Sequence, residues 1–410
     1  MSNYKLTRVE DYEPFVGTKA VDRILSKAQS LRDYRVTNIN STYYGGGVAE
    51  LLSSMTLLMN GLGIQTGWRV LQGSPDFFGI TKKMHNALQG MPIKFSRIKR
   101  KIYEDVVYEN SIRNFFDHDL VIVHDPQPLA LISHYTKKGP WVWRCHIDLS
   151  HPHPALWKYL VRFVEQYDAV IFSIPDYSRK LKTPELFFLP AIDPFTTKNR
   201  QLEEREMEGR LAHYGIPTDR PIVAQVSRFD PWKDPRGVID AFRLARKEVD
   251  CTLVMLGNFA SDDPEGAQIY ESLLKCRDER ILILPNGDDT ALVNTIQRQA
   301  AVILQKSIRE GFGLTVTEAM WKGTPVIGGN VGGIRYQIRN GVNGFLVSSV
   351  EETAQRLVQL LKHERLRQRL GRNAHATVAK HFLLTRYLEQ YLDLFASFET
   401  SFHLKKQRAH

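Results

Sequence analysis

The chain is poor in cysteine and has no long apolar run. Its 410 residues include three cysteines, Cys145, Cys251 and Cys276, without metal or redox spacing, so we interpret them as reduced and packed. No apolar stretch approaches the roughly 18 residues that a transmembrane helix needs. The N-terminal "MSNYKLTRVEDYEP" lacks the apolar segment of a signal peptide. We therefore expect a cytoplasmic protein with no membrane partner.

Several ligand motifs are also missing. There is no G-x-G-x-x-G dinucleotide fingerprint, which argues against a nicotinamide enzyme. Neither half of the chain has an Asp-x-Asp motif well placed for a divalent ion. The histidines of "HPHP" (151–154) are interleaved with prolines and lack a third ligand at suitable spacing, which favours a plain loop. We expect no metal and no cofactor.

The formal net charge of +10 has two readings. One is a solvated basic surface, densest at "KFSRIKRK" (94–101) and the C-terminal "KKQRAH"; the other is attraction of anions such as nucleotides, phosphorylated sugars or nucleic acid. Neither run interleaves aromatic residues as a single-strand binder does, which favours the first reading and no nucleic-acid partner. A basic nucleic-acid-binding protein stays the alternative from another class.

What the chain does contain is an alternation of short apolar runs with helical patterns, repeated in two halves. Continuous apolar runs are typical of strands covered on both faces. The pattern predicts two doubly wound, parallel-sheet α/β domains. The runs are "RVTNIN" (35–40), "WRVLQG" (68–73), "DLVIVHD" (119–125), "WVWRCHID" (141–148), "AVIFSIP" (169–175), "PIVAQVSR" (221–228), "CTLVMLG" (251–257), "RILILP" (280–285), "AAVILQ" (300–305) and "TPVIGG" (324–329).

The domain boundary is best placed between 200 and 220, where a charged segment is followed by the turn cluster "IPTDRP". We therefore expect a first domain over 1–215 and a second over 216–382. A last periodic helix, from about Leu384 to Phe398, could belong to either domain on this pattern alone.

In such sheets ligands gather at the carboxyl ends of the strands. Three glycines at 45–47 follow the first apolar run and open a helix, so bare backbone N–H groups could approach a phosphate there. The alternative is a tight turn. Arg228 ends a strand of the second half and Lys233 follows beyond a proline turn, which suits a diphosphate clamp, or else a surface pair.

"REGFGLTVTEAMWKG" (309–323) sets one glutamate beside a Gly-Phe-Gly turn and another inside the helix that follows. Gly311 and Gly313 leave the backbone N–H groups free to face a ligand at the helix N-terminus. Glu310 could bind sugar hydroxyls and Glu318 a ribose. Taken alone, Glu318 could be an ordinary helix residue and Glu310 an exposed loop acid, but the glycines favour a site.

Polar residues also end two strands of the first half. "VHDPQP" (123–128) and "RCHIDLS" (144–150) place His124, Asp125, His146 and Asp148 at strand ends. A single histidine there is usually structural, whereas two such ends on neighbouring strands indicate the wall of a polar pocket.

Taken in order, the glycine loop, Arg228, Lys233 and the two glutamates of "EGFGLTVTE" resemble the retaining GT-B glycosyltransferases of the glycogen-synthase-like family 4, over the whole chain. The resemblance implies two Rossmann-like domains facing an interdomain cleft, with the last helix, 383–410, returning to the first domain. This family often has glycine after the clamp lysine, whereas Asp234 stands here.

The resemblance also implies a role for each candidate residue. Gly46 and Gly47 approach the donor phosphates, Arg228 and Lys233 hold them, and Glu310 binds the donor sugar. Glu318 binds the ribose, His146 lies by the reacting face of the sugar, and Asp125 lies by the acceptor. The backbone of the helix start supports sugar and phosphate, through Phe312, Gly313, Leu314 and Thr315. For the nucleotide base the candidate is Asn286 in "LPNGDD" (284–289).

Closer similarity in "NSTYYGGGVAE", "VHDPQPLAL" and "WRCHIDLS" implies a transferase that moves glucose from a nucleotide-glucose to free glucose and forms α,α-trehalose. Trehalose phosphorylases are similar in the same blocks and remain an alternative, as does a family 4 transferase with another small acceptor. A homodimer and the choice among ADP, UDP and GDP stay open.

Overall fold

The structure is a computed structural model that describes residues 6–43, 46–258, 265–285, 287 and 289–408. The chain divides into two compact units. The first comprises Met1–Ala191 with Leu383–His410, and the second comprises Ile192–Phe382. Each unit is built on one parallel sheet, as the repeated strand-helix alternation predicts.

The sheet of the first unit has, in the described part of the chain, six parallel strands in the order β2-β1-β3-β4-β5-β6. Its central strands are buried along their whole length, which explains their unbroken apolar sequence. The strands are β1 (Arg35–Asn40), β2 (Gln65–Val70), β3 (Leu120–His124), β4 (Trp141–Arg144), β5 (Ala169–Phe172) and β6 (Glu185–Phe187).

Helices cover this sheet and complete a core rich in aromatic residues, including Phe77, Tyr103, Trp141 and Trp143. The chain also places 3₁₀ turns between elements, as at Leu129–His134. The helices are α1 (Glu13–Val16), α2 (Thr18–Gln29), α3 (Gly47–Gly61), α4 (Pro75–Leu88), α5 (Arg97–Arg113) and α6 (Pro154–Val164).

The second unit repeats this architecture with a different strand order. Its described residues form six parallel strands in the order β12-β11-β10-β7-β8-β9, the doubly wound order of dinucleotide-binding sheets. The strands are β7 (Ile222–Arg228), β8 (Thr252–Asn258), β9 (Ile281–Pro285), β10 (Ala300–Gln305), β11 (Val326–Gly329) and β12 (Phe345–Val347).

The helices of the second unit pack on its sheet around a core that includes Val238, Phe242, Leu253 and Leu357. Asp234 and Asp289 cap two of these helices by accepting from backbone N–H groups in the first turn. The helices are α7 (Glu204–His213), α8 (Pro235–Ala245), α9 (Gly266–Leu274), α10 (Thr290–Gln299), α11 (Leu314–Trp321), α12 (Ile334–Gln337), α13 (Val350–Lys362) and α14 (Glu364–His381).

The boundary between the units lies between Ala191 and Ile192 rather than at the predicted 215. The charged segment that suggested a linker forms α7, which packs on α10 of the second unit. Arg210 of α7 donates to Asp289 at 2.6 Å, and Asn294 of α10 donates to the carbonyl of Thr197 at 2.9 Å. High charge there marks the exposed face of a packed helix and not the end of a domain.

The last helix, α15 (Leu384–Arg408), belongs to the first unit. Its apolar face is buried at Leu388 and Phe395, and its polar face carries Glu389. Glu389 accepts from Arg23 of α2 at 2.5 Å, so the helix is fixed by both packing and charge. No described helix is both long and apolar enough to cross a membrane.

Two strands were not predicted and one was misplaced. β6 and β12 are three-residue edge strands, too short to give a recognisable apolar run. β2 begins at Gln65, earlier than the predicted 68–73, because it is an edge strand whose half-exposed residues read as polar. Predicted strands inside the two sheets lie where expected.

Candidate functional site

In the first unit the order of the strands reverses between β1 and β3. Ligands of doubly wound sheets bind at such a switch point, outside the carboxyl ends of the strands. The segments that leave β1 and β3 carry Gly46 and Asp125, and the segment that leaves β4, the next strand, carries His146. The topology alone therefore brings three predicted residues to one edge of the sheet.

Gly46 caps α3, which begins at Gly47. A tight turn with a positive φ was the alternative explanation of these glycines, but the φ of Gly46 is 171°, which is extended backbone. A Cβ at Gly46 would meet no heavy atom within 4 Å. Among the described residues neither backbone angle nor packing requires glycine there, which favours the anion reading; Gly45 lies outside them.

His124 and His146 form a stacked pair at the ends of β3 and β4. Their ring centroids are 5.3 Å apart, and His124 Nδ1 lies 3.0 Å from His146 Nε2. His124 Nε2 lies 3.0 Å from Asn38 Oδ1 of β1. Because an amide oxygen only accepts, His124 donates through Nε2 and accepts from His146 through Nδ1. This tautomer leaves His146 Nδ1 as a hydrogen-bond acceptor.

Burial keeps both imidazoles neutral. Together with the charge of Arg144, burial lowers the pKa of His124 to about 3. Burial, followed by Arg144, also holds the pKa of His146 well below its ordinary value. His146 is thus a neutral, oriented imidazole near pH 7, suited to hydrogen bonding with a hydroxyl rather than to pairing with an anion.

Asp125 follows β3 directly and has a φ of 62°, in the left-handed region. Its Oδ1 accepts from the backbone N–H of His146 at 2.7 Å, and its carbonyl accepts from Trp143 Nε1 at 2.9 Å. Such strained backbone persists where the surroundings fix it, commonly at binding sites. Asp125 and His146 are therefore in direct contact. Asp148, by contrast, accepts from Ser150 and stabilises its own turn.

In the second unit the strand order reverses between β7 and β10. Arg228 is the last residue of β7, and Lys233 ends the 3₁₀ turn Pro231–Lys233. The guanidinium of Arg228 lies 3.7 Å from the buried carboxylate of Asp230, and the Lys233 side chain is 18% exposed. Arg228 at the end of β7 and Lys233 on the loop that follows both lie beside the switch point, where a clamp for a diphosphate is expected.

Glu310 lies on the neighbouring loop, after β10, and is almost fully buried. Its Oε2 accepts from Lys233 Nζ at 2.5 Å and from Ser307 Oγ at 3.1 Å. The predicted clamp lysine and the predicted sugar-binding carboxylate are therefore one ion pair in this structure. A ligand that contacts both groups would compete with Glu310 for the ammonium group of Lys233.

The turn that enters α11 is built for close approach. Gly313 caps the helix with a φ of 85°, and a Cβ there would lie 3.1 Å from Glu310 Cγ. The Phe312 side chain is buried against Phe382, so only its backbone is left for a ligand. Leu314 and Thr315 form the first turn of α11, whose N–H groups point toward the positive end of the helix.

Glu318 lies one turn inside α11 and is 4% exposed. Its Oε2 accepts from Gln297 Nε2 at 3.1 Å, and Lys198 Nζ lies 3.6 Å from Oε1. Lys322 in turn donates to Gln297 Oε1 at 2.8 Å. Glu318 is therefore a buried and oriented carboxylate.

Sequence reasoning missed the partners that orient these groups. Asn38, Lys198 and Gln297 lie far along the chain from the residues they contact, and no local pattern marks them. Ser307 lies only three residues before Glu310, but its hydroxyl was not singled out. Asn286, the candidate for the base, lies outside the described residues. Within the part that is described, no group of three or more His, Cys, Asp or Glu residues could hold a metal ion.

The fold matches solved structures of glycosyltransferases. A trehalose 6-phosphate synthase from Burkholderia multivorans superposes with a TM-score of 0.70 at 15% identity, over 91% of this chain and 98% of that one. The family model "Glycosyl transferases group 1" matches residues 210–377. The chain is a GT-B glycosyltransferase, with two α/β units of the predicted kind.

A second family model, "Trehalose synthase, N-terminal domain", matches residues 38–179. Trehalose synthase from Thermococcus litoralis is 43% identical over 95% of this chain and 97% of its own length. The trehalose synthase from Rubrobacter xylanophilus is 37% identical over 94% and 96%. The chain belongs to the trehalose synthase family. A trehalose phosphorylase from Pleurotus pulmonarius is more distant, at 27% identity over 54% of its length.

Proposed function

We propose that the protein is a retaining glucosyltransferase that moves glucose from ADP- or UDP-glucose to free glucose and forms α,α-trehalose reversibly. The observation that carries the proposal is the whole-length similarity to trehalose synthases, at 43% identity. The phosphorylases are less similar, at 27% identity, which supports the synthase over the phosphorylase.

The residues of the second unit suit the donor half of this reaction. When the bond between glucose C1 and the diphosphate breaks, negative charge grows on the departing diphosphate. Arg228, Lys233 and the N-terminus of α11 are preorganised to stabilise that charge. Glu310 binds hydroxyls of the donor sugar, and the enclosed carboxylate of Glu318 binds the ribose.

The residues of the first unit suit the sugars. The acceptor hydroxyl forms the new bond to C1, and its proton leaves with the diphosphate or the solvent. Asp125 offers an oriented carboxylate to the acceptor, and the neutral His146 offers a ring nitrogen to a sugar hydroxyl. Hydroxyl-binding groups of this kind favour a small polyol over an apolar acceptor.

The test is to incubate the purified protein with glucose and ADP-, UDP- or GDP-glucose and to quantify trehalose and free nucleoside diphosphate. We expect equal amounts of the two products with at least one donor, and the reverse reaction from trehalose plus that diphosphate. An Asp125→Asn variant should lose transfer while it still binds the nucleotide. Release of glucose 1-phosphate from trehalose with inorganic phosphate as the only competent co-substrate would overturn the proposal.

A further inference from the structure

An ion pair with no assigned role joins the two loops that carry Lys233 and Glu310. Lys306, the first residue after β10, donates to the Oδ2 atom of Asp234, the residue that follows Lys233. The two side chains are 12% and 19% exposed. A pair so largely removed from solvent is screened less by salt than a surface pair, so its loss has larger consequences.

The ion pair is one of several links between these loops in the part of the chain that the structure describes. The backbone N–H of Ile308 donates to the carbonyl of Trp232 at 2.8 Å, and Lys233 Nζ lies 2.5 Å from Glu310 Oε2. Asp234 and Lys306 provide a third link. The two groups proposed to hold the donor phosphate and the donor sugar are thus fixed relative to each other by contacts on both sides.

The backbone conformation at position 234 suits glycine better than aspartate, which indicates that the carboxylate of Asp234 has a role. Asp234 has a φ of 48° and a ψ of 52°, a left-handed conformation that glycine adopts without strain. An aspartate there is useful only through its carboxylate. Oδ1 accepts from the N–H of Gly237 at 3.1 Å and caps α8, while Oδ2 accepts from Lys306.

We propose that Asp234 and Lys306 are positioning residues of the donor site, which hold Lys233 at the correct distance from Glu310. The proposal rests on the proposed function, because it takes Lys233 and Glu310 to bind the donor. An arriving diphosphate competes with Glu310 for the charge of Lys233 and weakens that link. The Asp234–Lys306 pair, next to both groups, then keeps the two loops together.

Four single variants and one double variant test this. Asp234→Asn retains the helix cap and tolerates the left-handed backbone but removes the charge; Asp234→Gly retains only the backbone; Lys306→Met removes the partner. We expect each of these three changes to raise the donor KM about 10-fold and to change kcat and the acceptor KM by less than about 3-fold. The double variant Asp234→Asn/Lys306→Met should have a donor KM no higher than that of either single variant, because both changes break the same ion pair. Lys306→Arg retains the positive charge and should therefore keep most of the donor affinity of the wild type.

Asp234→Gly separates the two explanations of this residue. If the position served only the backbone conformation, glycine would bind the donor as well as aspartate does. A matched control is Arg246→Met, at the opposite end of α8, where Arg246 Nη1 pairs with Asp278 Oδ2 at 3.0 Å. That variant should leave the donor KM unchanged. Thermal melts of all variants confirm that each remains folded.

Lys233→Ala distinguishes failure of this inference from failure of the proposed function. Normal turnover and a normal donor KM in Lys233→Ala would mean that Lys233 does not bind the donor. That result would overturn the proposed donor site itself. If Lys233→Ala is impaired while the Asp234 and Lys306 variants behave like Arg246→Met, the positioning role alone is overturned. An additive double variant would equally overturn it, because the two side chains would then act independently.

Discussion

Neutral histidines in the interior of the first unit couple its stability to pH. His124 is 2% exposed, and its hydrogen bonds to Asn38 and His146 use both ring nitrogens with a single ring proton. A second proton on His124 would place a donor against the N–H of His146 and a charge near the buried Arg144. The folded state therefore excludes the protonated form that the unfolded chain adopts readily.

This argument predicts a loss of stability in mild acid. The pKa of His124 is lowered to about 3 in the folded protein, against about 6.5 when unfolded. Between these values the unfolded chain binds the proton and the folded chain does not, so the contribution is complete above pH 6.5 and declines as the pH falls toward 3. From pH 7 to pH 5 we expect a loss of roughly 2 kcal/mol in the free energy of unfolding.

Urea unfolding at pH 7 and pH 5, followed by circular dichroism, measures this loss. His124→Gln should reduce the difference between the two pH values, whatever it does to stability at pH 7. His134→Gln is the control, because His134 is an exposed histidine of the same unit. An equal pH dependence in wild type and His124→Gln would show that the imidazole is not the group responsible.

At the scale of helices and strands, the sequence predicted those elements whose own residues form a clear local pattern. Apolar runs identified the buried strands, and "EGFG" followed by Gly323 identified α11 with both of its ends. Edge strands such as β6 escaped because a half-exposed strand of three residues carries no distinctive pattern. Topology explains why Lys233 and Glu310 could both be placed at one sheet edge without knowledge of their ion pair.

Contacts between distant elements could not be predicted. Nothing near Asp234 in the sequence indicates Lys306 as its partner, and nothing near Glu318 indicates Gln297 or Lys198. Such partners depend on which loops the strand order brings next to each other. The sequence predicted the class of sheet, doubly wound and parallel, but not the order of its strands. The charged segment at 203–210 was interpreted as a domain boundary for a related reason. Its charge belongs to the exposed half of a packed helix, and the buried half contacts residues that are distant in sequence.

α12 supports the turn that enters α11, and this contact can be tested at Gly333. Gly333 has an ordinary φ of −66°, but a Cβ there would lie 2.4 Å from Phe312 Cα and 2.8 Å from the carbonyl oxygen of Gly311. Because both contacts are backbone, the turn itself must move. We expect Gly333→Ala to reduce the free energy of unfolding by about 1–3 kcal/mol and to weaken binding of the donor.

The matched control is Gly209→Ala in α7 of the same unit. Gly209 is exposed and an added Cβ meets no heavy atom within 4 Å, so alanine should stabilise that helix by up to about 1 kcal/mol. Urea unfolding reports the stabilities, and calorimetric titration with the nucleotide-glucose reports donor binding. Donor affinity in Gly333→Ala equal to that of Gly209→Ala would mean that the turn does not contact the donor.

At the scale of the whole molecule, each unit uses its sheet in the same way. Strand order reverses once among the described strands of each sheet, and polar side chains follow strands at or next to the reversal. One unit presents an aspartate and a neutral histidine there, and the other presents cations with buried carboxylates. This division agrees with the proposed function, a transfer of glucose from a charged nucleotide donor to an uncharged sugar.

The net charge of +10 bears on how the proposed nucleotide donor would be bound. Many enzymes neutralise a departing diphosphate with a divalent cation, but here Arg228, Lys233 and the N-terminus of α11 offer positive charge at the same switch point. Glu310 and Glu318 are each paired with lysine, so neither is a ready-made metal ligand. We therefore expect sugar transfer to be independent of divalent metal.

Exhaustive treatment with EDTA, verified by elemental analysis of the protein, should leave the rate of trehalose formation within about 2-fold of the untreated enzyme, because the charge stabilisation comes from fixed side chains and a helix terminus. Lys233→Ala, assayed in parallel with added magnesium, shows whether a cation can replace the lysine. Loss of activity in the wild type on chelation, with recovery on addition of magnesium or manganese, would mean that the diphosphate is held by a metal and that the clamp of Arg228 and Lys233 is insufficient alone.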